Sequence, residues 1–174
     1  GPAQTDVERL RQQPNIVLLG QRPHSELPSY VKQFDVGLIP YRLTEYTKSV
    51  YPTKLNEYHV MGKPVVSTPL PEILAFNRQH HDLVTVGSAS EFDSALERAL
   101  RDDSQRLKTQ RIEAARQEIS ATVIRLRFGL EDDEPRTLQE IGNRLHLSRE
   151  RVRQIESRAK EKLRRSARLR SHLN

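Results

Sequence analysis

A charged and polar stripe near the C-terminus carries the side chains best suited to recognising a nucleic acid. Five of them fall on one face of a predicted helix: Arg149, Glu150, Arg153, Gln154 and Arg158. Arginine can donate paired hydrogen bonds to guanine, glutamine can pair with adenine, and glutamate can accept a hydrogen bond from the amino group of cytosine. This set is typical of a helix that enters the major groove of DNA.

Two predicted helices position that stripe. Thr137 and Glu140 have the spacing of a capping box, which predicts a short helix over 138–145. Its apolar face carries Leu138, Ile141 and Leu145. Ser148 is predicted to cap a second helix, from residue 149 to about 165, with an inward stripe of Val152, Ile155, Ala159 and Leu163. A tight turn between two facing apolar stripes predicts a helix-turn-helix.

The positive charge of the chain is confined to this end. The 174 residues carry a net charge of +6. Residues 121–174 contain 14 Lys and Arg against 8 Asp and Glu, whereas residues 1–120 contain 15 of each kind. A basic terminal module is the electrostatic signature of a polyanion binder. A solvated, arginine-rich helix surface has the same composition, so charge alone leaves both interpretations open.

Composition excludes several classes of protein. The sequence contains no cysteine, which removes disulfides and thiolate metal sites. No apolar run approaches the roughly 18 residues of a membrane span, and no signal peptide opens the chain, so we expect a cytoplasmic protein without a membrane partner. Gly1 and Pro2 have the form of a tag remnant. His80 and His81 are predicted to lie in a solvated loop, and no metal site is expected.

The first two thirds of the chain have the pattern of an α/β domain. Four short apolar runs are predicted as strands: Ile16–Leu19, Val36–Pro40, Pro64–Ser67 and Leu83–Val86. Helical patterns over 25–33, 53–61, 72–78 and 90–101 separate or follow them, which predicts a parallel sheet covered by helices. A continuous helical pattern over 105–127 follows and stops at Gly129.

The predicted fold class is therefore α/β plus all-α, with a small parallel-sheet, Rossmann-like half domain followed by a helix-turn-helix domain. Because no linker rich in proline or glycine separates the two, we place their boundary inside the long helix. The predicted domains are residues 3–118 and 119–174, joined rigidly through that shared helix.

Three motifs in the last third resemble a known family. They are VIRLRFGL over 123–130, RTLQEIG over 136–142 and LSRERVRQIE over 147–156. They resemble the fourth conserved region of primary-type bacterial sigma factors, over about residues 121–174. The resemblance implies a bacterial protein that binds the −35 element of double-stranded promoter DNA and docks on the flap of the RNA polymerase β subunit.

The sigma resemblance also implies roles for individual residues. Base contacts fall at Arg149, Glu150 and Gln154. Phosphate contacts fall at Thr137, Arg151, Arg153 and Arg158. Positions that face a transcription activator fall at Lys162, Arg164 and Arg165.

Motifs in the first part resemble a second family. They are NIVLLG over 15–20, FDVGLIPY over 34–41, SVYPTKLNEY over 49–58 and GKPVVST over 62–68. They resemble the donor-nucleotide half of GT-B glycosyltransferases, over about residues 7–118. The resemblance implies that Ser49 and Lys54 lie near the phosphates and sugar of a nucleotide sugar, and that Glu57 binds its ribose. The acceptor-binding domain has no counterpart in this sequence, and the first acidic position of the family's Glu-x7-Glu pattern falls at Ser49, so no catalytic residue is assigned.

Three hypotheses follow for the function. The first is a sigma-type module that recognises promoter DNA and polymerase, carried on an α/β scaffold or sensor. The second is a fragment of a glycosyltransferase that uses a nucleotide sugar. The third is a sigma-like module bound by an anti-sigma or activator protein instead of DNA. The sequence leaves open whether the joining of the two parts is natural or engineered.

Overall fold

A three-stranded parallel sheet organises the first part of the chain. It is seen in a computed structural model that describes residues 7–48, 50–102, 104–130 and 132–171, without the side chains of residues 24 and 166–171. The strands are β1 (Gly37–Ile39), β2 (Val65–Ser67) and β3 (Val84–Val86), paired in the order β1-β2-β3. Val65 lies opposite Gly37 on one side and Val84 on the other. Each strand falls inside a predicted apolar run, which confirms the parallel α/β prediction.

Helices cover both faces of this sheet. The helices of this part are α1 (Val7–Arg11), α2 (Leu27–Lys32) after a 3-10 turn at His24–Glu26, α3 (Glu45–Lys48), α4 (Lys54–Val60), α5 (Pro71–His80) and α6 (Phe92–Arg101). On one face, Ile39 and Val65 pack with Leu55 of α4 and Ile73 of α5. On the other face, Val66 packs against two alanines of α6, Ala95 and Ala99. Burial on both faces explains why the strands are almost entirely apolar.

The predicted strand at Ile16–Leu19 is wrong. The structure assigns these residues no strand, and Val17, Leu18 and Leu19 are 78%, 44% and 46% exposed. In a doubly wound sheet, strands numbered along the chain lie across the sheet in the order 3-2-1-4-5-6. Strands 4, 5 and 6 are therefore adjacent in chain order, and β1, β2 and β3 are adjacent in the same way. A strand just before them would be strand 3, which is three places away from strand 4, with strands 2 and 1 between them. Because the described residues supply no strand for the places between, the apolar run has no neighbour to pair with.

A long helix, α7 (Gln105–Phe128), connects the sheet to the C-terminal helices. Its N-cap is Ser104, whose hydroxyl accepts a hydrogen bond from the amide of Leu107 at 3.3 Å. Gly129 ends it with a φ of 62°, where a side chain would also meet the backbone of Glu134 at 2.8 Å. The predicted helix over 105–127 is thus confirmed, and no break interrupts it at the predicted domain boundary between residues 118 and 119, which stays a prediction.

Both ends of α7 are buried, in different cores. Near its start, Ala114 joins the core of the α/β part. Arg111, 1% exposed, donates hydrogen bonds to the carbonyl oxygens of Gly62 at 3.4 Å and Asp102 at 3.2 Å. Near its end, Val123 and Leu126 belong to the core of the C-terminal helices. In the described ranges, no helix is both long and apolar enough to cross a membrane.

His80 is not in a solvated loop, contrary to the prediction. It is the last residue of α5, is 9% exposed and stacks on Phe76 with the ring centroids 4.5 Å apart. Its Nε2 lies 2.9 Å from Oε1 of Glu118 on α7. The prediction ended this helix at residue 78, and two further helical residues are enough to direct the imidazole into the protein. His81 follows in the left-handed region with a φ of 56°.

Candidate nucleic-acid interface

A capping box begins the first helix of the C-terminal pair, α8 (Leu138–Leu145). The hydroxyl of Thr137 accepts a hydrogen bond from the amide of Glu140 at 3.2 Å, and the amide of Thr137 donates to the carboxylate of Glu140 at 2.7 Å. The hydrogen bond from the amide of Thr137, and then the one that its hydroxyl donates to the same carboxylate at 2.8 Å, hold the pKa of Glu140 below its usual value. The predicted capping box is confirmed, and it fixes where the helix starts.

A tight turn connects α8 to the second helix, α9 (Arg149–Ser171). His146 ends α8 in the left-handed region with a φ of 55°, and the amide of Leu147 then donates to the carbonyl of Gly142 at 2.8 Å. A Cβ on Gly142 would lie 2.6 Å from the carbonyl oxygen of Leu147, so only glycine fits there. Ser148 caps α9 by accepting from the amide of Arg151 at 3.1 Å, as predicted.

The apolar faces of α7, α8 and α9 meet in one small core. Its buried members are Val123, Leu126, Ile141 and Val152, with Leu138, Leu145, Leu147 and Ile155 partly buried around them. Leu163, predicted to belong to the inward stripe, is 58% exposed, so that prediction is wrong. At 1.5 Å per residue, α9 is roughly three times as long as the eight residues of α8. It continues past the predicted end near residue 165, and its last part extends beyond the helices that bury its beginning.

The exposed face of α9 carries a connected set of polar side chains. Arg153 donates two hydrogen bonds to Glu150, from Nε and from Nη2, both at 2.8 Å. Gln154 donates to the same carboxylate at 3.2 Å and accepts from Arg151 at 3.4 Å. The hydrogen bonds from Arg153, and then from Gln154, lower the pKa of Glu150 to about 2. The carboxylate is therefore an ionised acceptor at neutral pH.

A shallow groove lies beside this face, where α8 and α9 begin. Its lining residues are Arg127, Thr137, Leu138, Gln139 and Arg149. Arg127 comes from the end of α7, donates to the carbonyl of Arg136 at 2.9 Å and approaches the buried Glu156 at 3.5 Å. With Arg149, it places two guanidinium groups next to the start of α8, a suitable arrangement for an anion. Sequence reasoning missed Arg127, which precedes Arg149 by 22 residues and carried no signal beyond its charge.

The other sequence-predicted residues of this part lie on exposed surface. Arg151 and Arg158 are exposed on α9, outside the apolar core. The three residues assigned to an activator, Lys162, Arg164 and Arg165, are exposed on the later part of the same helix. Arg165 is ion-paired with Glu161 one turn earlier. The structure thus brings most of the predicted base and phosphate positions together around the turn. Arg158 and the activator positions lie further along α9.

The residues assigned to a nucleotide sugar lie on α4 and just before it. Ser49 is outside the described residues. Lys54 is exposed in the first turn of α4, and Glu57 is half-buried one turn later. The two are therefore neighbours on one short helix beside the sheet. Within the described part of the chain, no group of three or more histidine, aspartate or glutamate side chains is arranged to hold a metal ion.

Comparison with known families identifies both parts of the chain. Residues 1–102 match the family of group 1 glycosyl transferases, and residues 117–165 match region 4 of sigma-70. Because the first match covers more than half of the chain, the chain belongs to the group 1 glycosyl transferases. Its C-terminal part is similar to sigma-70 region 4, which is a DNA-binding promoter-recognition module in that family. Both resemblances predicted from the motifs are confirmed.

Individual relatives match one part or the other. A Bacillus subtilis protein named for a glycosyltransferase role in teichuronic acid biosynthesis is 32% identical over 94 residues, covering 53% of this chain and 24% of the relative. An RNA polymerase sigma factor of Helicobacter pylori is 51% identical over 75 residues, 41% of this chain and 11% of the relative.

A sigma factor of Synechococcus elongatus is 64% identical over 42 residues, 24% of this chain and 14% of the relative. The chain thus spans about a quarter or less of the length of each of these curated relatives. No solved structure matches the chain.

Proposed function

We propose that residues 119–174 bind the −35 element of a bacterial promoter and dock on the flap of the RNA polymerase β subunit. The α/β part would serve as their scaffold or sensor. One observation carries the proposal: the capped turn at 146–148 starts α9 so that Arg149, Glu150 and Gln154 are presented near the groove formed with Arg127 and Thr137. A helix N-terminus with base-reading side chains, flanked by cations for the phosphates, is the arrangement by which a recognition helix binds DNA.

The proposed roles follow from the chemistry of each side chain. Arg149 donates to guanine, Gln154 pairs with adenine, and Glu150, ionised and acceptor-only, accepts from cytosine. Thr137, Arg151, Arg153 and Arg158 contact the phosphates. In the free protein Arg153 and Gln154 both donate to Glu150. DNA binding would therefore exchange these contacts for phosphate and base contacts.

The relatives of this segment support a polymerase partner as well. Two of them are named RNA polymerase sigma factors, from Helicobacter pylori and Synechococcus elongatus. We infer that the flap of the β subunit is the docking site on the polymerase. Lys162, Arg164 and Arg165 remain accessible to a transcription activator, because they extend along exposed surface away from the turn. An anti-sigma protein that covers α9 would compete with DNA for the same helix.

Duplex binding at several salt concentrations tests the DNA role. A duplex with a TTGACA-like element should bind more tightly than a scrambled one, and the affinity for both should fall as salt rises. Arg149→Ala or Gln154→Ala should each cost about 1–3 kcal/mol on the −35 duplex, or roughly 5- to 150-fold in affinity. Arg158→Ala should weaken both duplexes by a similar factor, because a phosphate contact carries no sequence information.

Arg78→Ala supplies the matched control, since Arg78 is an exposed arginine of α5 in the α/β part. It should leave both affinities unchanged. Equal affinity of the unmodified chain for the −35 and scrambled duplexes would contradict sequence recognition by this chain. Capture of the isolated β flap on immobilised chain tests the polymerase contact separately, and its absence would contradict only that part of the proposal.

A second candidate function is the binding of a nucleotide sugar by the α/β part, without transfer of the sugar. It is favoured by the family match over residues 1–102 and by the placement of Lys54 and Glu57 on one helix. A nucleoside diphosphate sugar should then raise the melting temperature. The increase should disappear in Lys54→Ala and Glu57→Gln and persist in Lys32→Ala, a control at the end of α2. No increase with uridine, guanosine or adenosine diphosphate sugars would exclude this role for the chain.

A further inference from the structure

The exposed side of α7 carries a second arginine in line with Arg127. Arg116 precedes Arg127 by 11 residues, which is about three turns of an α-helix, so the two lie on the same face of α7. At about 1.5 Å per residue, their backbones are roughly 17 Å apart along the helix axis. Arg127 lines the groove beside Thr137 and Arg149, where DNA phosphates bind in the proposed function. Arg116 therefore lies farther along the same side of the helix.

The side chain of Arg116 is accessible to a ligand. It is exposed, whereas Arg111, five residues earlier, is buried and donates to the carbonyl oxygens of Gly62 and Asp102. A buried arginine that binds backbone carbonyls contributes to folding, while an exposed one keeps its donors accessible to an anion. The planar guanidinium can donate two parallel hydrogen bonds to a phosphate. Arg116 is therefore suited to a phosphate of the DNA backbone.

Between the two arginines, where every residue is described, the outer surface of α7 carries no exposed acidic side chain. Glu118 is the only acidic residue in this interval of the sequence. Its carboxylate lies 2.9 Å from Nε2 of His80 and is only 13% exposed, so it faces the α/β part. Ser120 is neutral and donates to the carbonyl of Arg116 at 2.8 Å. Glu113 is exposed, but it lies about one turn beyond Arg116, on the side away from the groove. The field along this side of α7 therefore favours an anion.

Arg116 lies outside both family matches. The match to group 1 glycosyl transferases ends at residue 102, and the match to sigma-70 region 4 begins at residue 117. The helix α7 nevertheless runs without a break from Gln105 to Phe128. Because the helix is continuous, Arg116 is held at a fixed distance and direction from Arg127. The helix that joins the two parts thus offers a cation that neither match includes.

We propose that Arg116 binds a phosphate of the DNA that flanks the −35 element, so that α7 extends the surface by which the chain binds a duplex. The inference rests on the proposed DNA role of α9. Each base pair adds about 3.4 Å to the duplex, so roughly 17 Å corresponds to about five base pairs. DNA that meets Arg127 continues to either side of the groove, and Arg116 is the cation on the side toward which α7 leads. A phosphate contact carries no base information, so this contact lengthens the bound DNA without changing the preferred sequence.

Duplexes of different length test the proposal. A short duplex contains the −35 element with about two flanking base pairs at each end, and two longer ones extend it on one side or the other by about six base pairs. The unmodified chain should bind one of the longer duplexes roughly 3- to 8-fold more tightly than the short one near 0.1 M salt, because each phosphate contact releases about 0.9 counterion. Arg116→Gln should abolish this increase and leave the affinity for the short duplex unchanged.

A relocated arginine is the matched control. Arg116→Gln combined with Gln117→Arg moves the guanidinium by about 100° around the helix and keeps the composition and the net charge. Gln117 is also exposed, so neither change disturbs a buried contact. The double variant should lose the increase as the single variant does, because its arginine no longer shares a face with Arg127. A double variant that keeps the increase overturns the proposal, since the overall charge of α7 would then be responsible.

The outcomes separate this contact from the function on which it rests. An unmodified chain that binds the −35 duplex but gains no affinity from either extension overturns the contact at Arg116 and leaves the role of α9 intact. Equal increases in the unmodified chain and in Arg116→Gln overturn it as well. An unmodified chain that binds no duplex overturns both. On the favoured longer duplex, the slope of log affinity against log salt should be shallower by about 0.9 in Arg116→Gln than in the unmodified chain.

Discussion

The buried imidazole of His59 should make the stability of the α/β part depend on pH. His59 is 0% exposed, and neither ring nitrogen has a hydrogen-bond partner among the described residues. It packs against Phe76, with Arg111 of α7 and His80 of α5 as the charged or titratable groups nearby. Burial first, and then the repulsion from Arg111 and His80, lowers its pKa to about 3.

The magnitude follows from the difference between the folded and unfolded pKa. The folded chain keeps His59 neutral, whereas the unfolded chain takes up a proton below about pH 6.5. The full stability is therefore present above about pH 6.5 and is lost as the pH falls from there toward 3. Each pH unit in this window costs about 1.4 kcal/mol, so moving from about pH 7.5 to about pH 5 should cost about 2 kcal/mol. This is a large part of the 5–15 kcal/mol that is typical of a domain.

Urea unfolding followed by circular dichroism at several pH values between 7.5 and 5 measures this loss. His59→Phe is the comparison, because it keeps a ring beside Phe76 and cannot titrate; His59→Leu serves if the larger ring disturbs packing. The variant should lose about 2 kcal/mol less than the unmodified chain over the same interval. The carboxyl groups with lowered pKa, Glu91, Asp132, Glu140 and Glu150, are present in both proteins, so their titration cancels in the comparison. Parallel pH profiles for the two proteins would refute the argument.

Three further predictions concern the helix-turn-helix, and chemical denaturation checks each. Thr137→Ala removes the capping hydroxyl and should cost about 1 kcal/mol, whereas Thr137→Ser should cost little; equal losses would contradict the capping role. Gly142→Ala should cost about 1–3 kcal/mol, because its Cβ would lie 2.6 Å from the carbonyl oxygen of Leu147, and an unchanged midpoint would show that the turn can open. Ile141→Ala should cost about 2–5 kcal/mol but Leu163→Ala less than about 0.5 kcal/mol, since only Ile141 is buried; comparable losses would place Leu163 in the core after all.

The features that sequence reasoning predicted correctly are those fixed by residues close together in the chain. Ser104 and Gly129 mark the ends of α7, and Thr137 with Glu140 marks the start of α8. Caps and left-handed glycines act within one turn of a helix, so their spacing is visible in the sequence. The grouping of Glu150, Arg153 and Gln154 on one face of α9 was predictable for the same reason, because helical periodicity alone puts them there.

The features that sequence reasoning predicted wrongly depend on contacts with residues that are distant in the chain. The apolar pattern at Ile16–Leu19 has the form of a strand, and Leu163 has the position of a core residue, yet neither finds a surface to cover it. Apolar periodicity shows which face can be buried but not whether another element lies against it. Conversely, contacts with distant residues can arise without any signal nearby in the sequence. His80 contacts Glu118, 38 positions away, and Arg127 contacts Glu156, 29 positions away.

The helix α7 spans the junction between the two segments that match known families. The sigma-70 region 4 match begins at residue 117, so Glu118 belongs to the sigma segment, while His80, its partner at 2.9 Å, belongs to the glycosyl transferase segment. Their side chains are only 8% and 13% exposed. A flexible linker would expose such a pair to water, and leaving one buried partner without its hydrogen bond is costly.

The same helix carries Ala114 in one core and Val123 and Leu126 in the other, without a break between them. The orientation of α9 relative to the α/β part is therefore set by the way α7 packs against that part. A ligand or partner that shifts α7 on the α/β part must move α9 with it. This mechanical link supports describing the α/β part as a scaffold or sensor, because a domain on a loose tether could bind a ligand without moving α9.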